Sequence, residues 1–118
     1  MIRGIPKPWG EEIIFAHTER YAGKILNIRR GESLSLQYHE RKDETIYLYR
    51  GTLKVILEVD GRLEERLLEA GEALRFPPRT RHRMAAAGRG SLDGRYTLTR
   101  MVGETEQLYE ELLNREAS

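Results

Sequence analysis

The chain has 118 residues, 39% hydrophobic and 33% charged, with 20 basic against 19 acidic side chains and a net charge of +1. That length suits a single domain, 1–118, able to bury one core, and the near-neutral balance argues against a nucleic-acid partner, which calls for a basic excess or a basic face. Cysteine is absent, which excludes disulfides, thiolate metal sites and cysteine nucleophiles.

From Met1 to Phe15 the chain carries charges and prolines and no apolar run of signal-peptide length, and no stretch is long and apolar enough to span a membrane. The expectation is a cytoplasmic protein with no membrane partner. Glycines at 10, 23, 31, 51, 61 and 71 then punctuate short runs rich in Ile, Leu, Val, Tyr and Thr. Many of these runs alternate apolar and polar residues, the pattern of half-buried strands in a sandwich or barrel. The spacing predicts strands near 11–16, 22–29, 33–39, 44–50, 52–59, 62–69, 72–77, 82–87 and 94–102. Asp60-Gly61 is a two-residue hairpin signal, and Pro77-Pro78 ends a strand because proline cannot donate to a ladder. Residues 88–94 read as a loop. Beyond them Leu108, Leu112 and Leu113 recur at helical spacing after Thr105, a plausible N-cap, so a short amphipathic helix is expected over 105–115.

Three histidines are present, and two have company. Gln37 precedes His39 by two residues on an alternating run, so both point to one face. Glu44 follows the polar turn Glu40-Arg41-Lys42-Asp43, and a hairpin of that length returns it beside them. His82, after the turn Pro77 to Arg81, is the expected fourth partner. Two imidazoles, a carboxylate and an amide oxygen suit one divalent ion, with zinc, manganese or iron the first expectations. The bland alternative is a set of buried polar residues satisfying one another. His17, in a turn-like stretch, reads as exposed and silent. Arg79 and Arg81 form part of a basic run that would hold a phosphate or carboxylate, or be solvated and paired with glutamates. Ser35 shares the face of Gln37 and His39, and Lys24 is a candidate acid, base or hydroxyl ligand near the pocket. Trp9 reads as a plug at one barrel end or a dimer contact rather than a substrate platform.

These spacings resemble the two motifs of the cupin family. Gly31, five residues, Gln37-Tyr38-His39, four residues, Glu44, six residues and Gly51 match the first, with Gln37 where that family has histidine. Gly71, five residues, Pro77-Pro78-Arg79, two residues and His82 match the second, with Arg79 in place of glycine and Ala86 in place of asparagine. Leu36-Gln37-Tyr38-His39, Phe76-Pro77 before His82-Arg83, and Lys7-Pro8-Trp9-Gly10 further resemble the cupin domain of type II mannose-6-phosphate isomerases, often fused to a mannose-1-phosphate guanylyltransferase. The resemblance implies a double-stranded β-helix, or jelly-roll barrel, and the C-terminal helix would cap it or pack on a partner. It also implies a metal on Gln37, His39, Glu44 and His82, and a homodimer. Its activity would be aldose–ketose isomerisation of a phosphorylated sugar, with Lys24 and Glu44 as catalytic groups and Ser35, Arg79 and Arg81 on the substrate. That family's acidic Asp-Asp-Ile-Val-Arg-like segment has no counterpart after Leu92, and Ile46 stands where it has an aromatic residue. Two other readings follow: non-catalytic binding of a sugar phosphate or nucleotide sugar, and an iron-dependent dioxygenase.

Overall fold

The structure, a computed structural model, describes residues 2–86 and 95–104. Among the described residues nine strands are formed: β1 (Arg3–Lys7), β2 (Gly10–His17), β3 (Tyr21–Arg29), β4 (Lys42–Arg50), β5 (Thr52–Val59), β6 (Arg62–Glu69), β7 (Ala73–Phe76), β8 (His82–Ala85) and β9 (Arg95–Glu104). They make a six-stranded sheet ordered β1-β2-β3-β9-β4-β7 and a three-stranded sheet ordered β6-β5-β8, with antiparallel pairing throughout. The described residues contain no helix. The helix expected over 105–115 and the loop expected at 88–94 lie outside the described residues. Among the described residues no helix is long and apolar enough to cross a membrane.

Alternation builds the core. Leu26 and Ile28, Ile46 and Leu48, and Tyr96 and Leu98 face inward from β3, β4 and β9, and meet Leu53 and Val55 of β5 and Met84 of β8. Burying each of these side chains contributes about 1.5–3 kcal/mol before entropy is counted. The Asp60-Gly61 turn forms as expected, both residues taking positive φ (50° and 78°), so that Val59 pairs with Arg62. β7 stops at Phe76, directly before Pro77.

Two strand assignments change. β1 was not expected, because a five-residue stretch carrying Gly4 and Pro6 reads as a breaker; among the described residues it survives as an edge strand paired with β2, where proline is tolerated. The strand expected over 33–39 is instead an irregular segment with two isolated bridges, Ser33 to Ala85 and Gln37 to His82. Four steps along this segment match three along β8, so one residue is extra, as in a β-bulge. The simple alternation is broken: Leu34 is buried and Gln37 and His39 half-buried, while Leu36 and Tyr38 face solvent.

The chain leaves the larger sheet at Gly51 (φ 87°), where an added Cβ would stand 2.6 Å from Cδ1 of the fully buried Tyr96. Gly61 has positive φ too, but no atom lies within 4 Å of its Cβ position. Gly61→Ala is expected to cost about 1–2 kcal/mol, the left-handed penalty alone. Gly51→Ala adds an overpacking cost of about 1–3 kcal/mol, and paired urea unfolding curves measure the difference.

Candidate metal centre

The donors expected from the sequence converge, and backbone pairing is the reason. The Gln37 N–H donates to the His82 carbonyl at 2.9 Å and the His82 N–H returns a bond to the Gln37 carbonyl at 3.0 Å. Two candidate ligands from distant stretches are therefore locked opposite each other. Glu44 faces inward from β4, between Phe76 of β7 and Val102 of β9. The Arg79 N–H donates to the His39 carbonyl at 2.7 Å, and Arg79 does so with φ 65°. That left-handed backbone explains why the motif calls for glycine at this position.

Glu44 is the hub, with 1% of its surface exposed. Its Oε2 lies 3.1 Å from His82 Nε2 and its Oε1 3.4 Å from His39 Nε2. Arg100, inward-facing on β9, donates through Nη2 to Glu44 Oε1 and, at 2.8 Å, to Gln37 Oε1. Burial alone would raise the Glu44 pKa, but the His82 hydrogen bond and the Arg100 charge and hydrogen bond outweigh it and hold it at about 2.

His82 stacks on Phe76, rings 4.2 Å apart and 6° from parallel. Its Nδ1 lies 3.0 Å from the Thr80 carbonyl, which can only accept, so the proton sits on Nδ1. Nε2 then presents a lone pair to the ionised Glu44 unless a proton or a metal ion lies between them. His39 Nε2 is buried and its contact with Glu44 lacks hydrogen-bond geometry, so it too is an unused donor aimed into the cluster. Burial, together with the positive Lys42 and Arg100, lowers the His39 pKa against the pull of Glu44, which favours the neutral, ligating form. Among the described residues no three His, Asp or Glu side chains are already closed into a cage; Arg100 is wedged between Gln37 and Glu44. In donor type, the two imidazoles, the carboxylate and the amide oxygen suit a divalent ion.

The cluster opens on a cavity of about 380 Å³ lined by Lys7, Lys24, Lys42 and Arg100, with Glu12 and Ser35 also on its wall. Glu12, on β2, is 8% exposed and lies 2.8 Å from Lys24 Nζ and 3.4 Å from Lys7 Nζ. Burial raises its pKa, but those two lysines pull it below the usual carboxylate range. Trp9 lines the same cavity and packs against the core. A second cavity, of about 320 Å³, shares Lys24, Lys42 and Val102 with the first.

Of the residues expected at the site, Gln37, His39 and Glu44 meet at the cavity wall with Ser35 and Lys24. His82 sits behind them, 3% exposed. Arg79 and Arg81 are not on this wall: Arg81 Nη2 is 2.6 Å from Glu58 and Arg79 Nε 3.7 Å from Glu40. Arg100, Glu12 and Lys7 were not anticipated. The signal for Arg100 is its place in the series Tyr96, Leu98, Arg100, Val102, which puts a charge on the core face of an alternating strand.

The sequence profile of the cupin domain matches residues 24–94. The mannose-1-phosphate guanylyltransferase of Escherichia coli (strain K12) is 31% identical over 91 residues, covering 77% of this chain and 18% of that protein. The chain thus spans less than a fifth of that relative's length. Among solved structures, KdgF from Halomonas sp. superposes with a TM-score of 0.69 at 24% identity, covering 88% of this chain and 86% of that one. The capsular polysaccharide assembling protein CapF from Staphylococcus aureus superposes with a TM-score of 0.75 at 16% identity, covering 88% and 31%. Profile, motif spacing and two-sheet architecture agree, and the chain belongs to the cupin domain family.

Proposed function

We propose that this chain binds one divalent metal ion through Gln37, His39, Glu44 and His82 and acts on a phosphorylated sugar, as an aldose–ketose isomerase. The observation that carries the reading is the convergence of Gln37, His39 and Glu44 at the wall of a cation-lined cavity, with His82 directly behind on Glu44 and His39 Nε2 buried without a hydrogen-bond partner. Similarity to a mannose-1-phosphate guanylyltransferase supports the choice of sugar phosphates.

When bound, the metal would act as a Lewis acid on a substrate carbonyl. The chain's own residues supply the rest. Lys42, which faces both cavities, binds the phosphate in place of Arg79 and Arg81. Ser35 offers a hydroxyl to the sugar. Glu44, with both oxygens already engaged, serves as a ligand rather than a base. The proton therefore moves through the paired Glu12 and Lys24 on the cavity wall.

Elemental analysis after loading with zinc, manganese or iron is expected to give one ion per chain. His39→Ala and His82→Ala are each expected to weaken metal binding by at least about tenfold. The loaded protein is expected to convert mannose 6-phosphate to fructose 6-phosphate. Thermal stabilisation by mannose 6-phosphate without turnover would replace the isomerase with the binding protein that the missing acidic segment favours. Failure to retain any of the three metals would overturn both.

A further inference from the structure

We infer that Arg100 is a built-in rival of the metal ion: its guanidinium occupies the ligand oxygens when no metal is bound and must be turned out into the cavity when one binds. This rests on the metal reading above and adds a control that the ligand set alone does not contain.

Arg100 Nη2 bonds Gln37 Oε1 and Glu44 Oε1, two of the four candidate ligand atoms. A guanidinium and a divalent cation cannot both approach those oxygens in a water-poor site, because like charges at a few ångströms repel strongly there. The seat of Arg100 is also incomplete. Its Nε is buried with no hydrogen-bond acceptor. The exposed Arg75, by contrast, places both Nε and Nη2 on Asp43. A buried donor left unsatisfied marks a side chain held for a reason other than optimal bonding. The two imidazole Nε2 atoms, meanwhile, face the same carboxylate, His82 at 3.1 Å and His39 at 3.4 Å from Glu44.

The arrangement gives Arg100 two duties. Without metal it keeps the buried Glu44 paired, so the fold does not depend on an ion. With metal it is released at the wall of the cavity of about 380 Å³ that it already lines, beside Lys24 and Lys42. The guanidinium becomes free to grip an anion at the moment the metal is in place. By linkage, an anionic ligand that draws Arg100 outward tightens metal binding by the same factor.

The test is calorimetric titration of Co²⁺ into metal-free wild type, R100M and R100K. R100M is expected to bind at least about tenfold more tightly than wild type, since the ion no longer displaces charge-assisted hydrogen bonds. R100K, which keeps a cation, is expected to stay near wild type. Equal or weaker binding by a folded R100M, with wild type binding normally, would overturn the inference and leave the metal reading standing. No binding by any of the three would remove both. A second measurement uses wild type alone: the ¹⁵N signal of Arg100 Nε, followed during Zn²⁺ titration, is expected to shift and lose protection from exchange. An unmoved, protected signal at one bound equivalent would also overturn the inference.

Discussion

Glu44→Ala is expected to lower the unfolding free energy of the metal-free protein by about 3–5 kcal/mol, the cost of removing one partner from a buried ion pair. The carboxylate is 1% exposed and is the shared partner of Arg100, His82 and His39. Deleting it leaves the Arg100 guanidinium, whose side chain is 11% exposed, with the Gln37 amide oxygen as its acceptor among the described residues. Glu44→Gln keeps the shape and an acceptor, so its loss is expected to be smaller. In the double variant E44A/R100M, the second change is expected to restore part of what the first removes, since no uncompensated charge stays inside. Urea unfolding in the presence of a chelator measures all three. A loss below about 1 kcal/mol for Glu44→Ala would show the cluster to be hydrated and open, in the range of exposed ion pairs.

Acid is expected to destabilise the metal-free protein by about 3 kcal/mol between pH 4.5 and 2, from Glu44 alone. The sign follows from the direction of the shift. The folded carboxyl titrates near 2 and the unfolded one near 4.5, so the unfolded chain takes up the proton first. The stabilisation is fully present above pH 4.5 and is lost as pH falls towards 2. Glu12, also held below its ordinary value by Lys24 and Lys7, works in the same direction. His39 is lowered as well, so its contribution begins to fall away below its ordinary value of 6.5. Stability therefore declines in two stages on acidification, a shallow one governed by His39 and a steeper one by the carboxylates. Glu44→Gln is expected to flatten much of the steeper stage. Parallel curves for the variant and wild type below pH 4.5 would assign the acid sensitivity elsewhere.

The Arg100 cluster also bears on how such a site is kept intact before loading. Burying a carboxylate without a partner is costly, and the two imidazoles offer no fixed charge. A permanent cation from β9 meets that need at any physiological pH, because guanidinium does not deprotonate. The same permanence keeps Glu44 paired through Arg100 across the physiological pH range.

Period-two alternation and turn residues, both local, were enough to place most strands from β2 to β9, the Asp60-Gly61 hairpin and the halt at Pro77. Motif spacing was enough to single out Gln37, His39, Glu44 and His82. Tertiary structure alone decided the rest. The bulge between Ser33 and Gln37 depends on register against β8, which no local pattern encodes. β1 exists because β2 offers it an edge. Arg79 and Arg81 turned to Glu40 and Glu58, and Arg100 and Glu12 turned inward to Glu44 and to Lys24 and Lys7. Alternation states that residues share a face; it does not state which charges from strands tens of residues apart will meet there, because that pairing is set by the folded sheet.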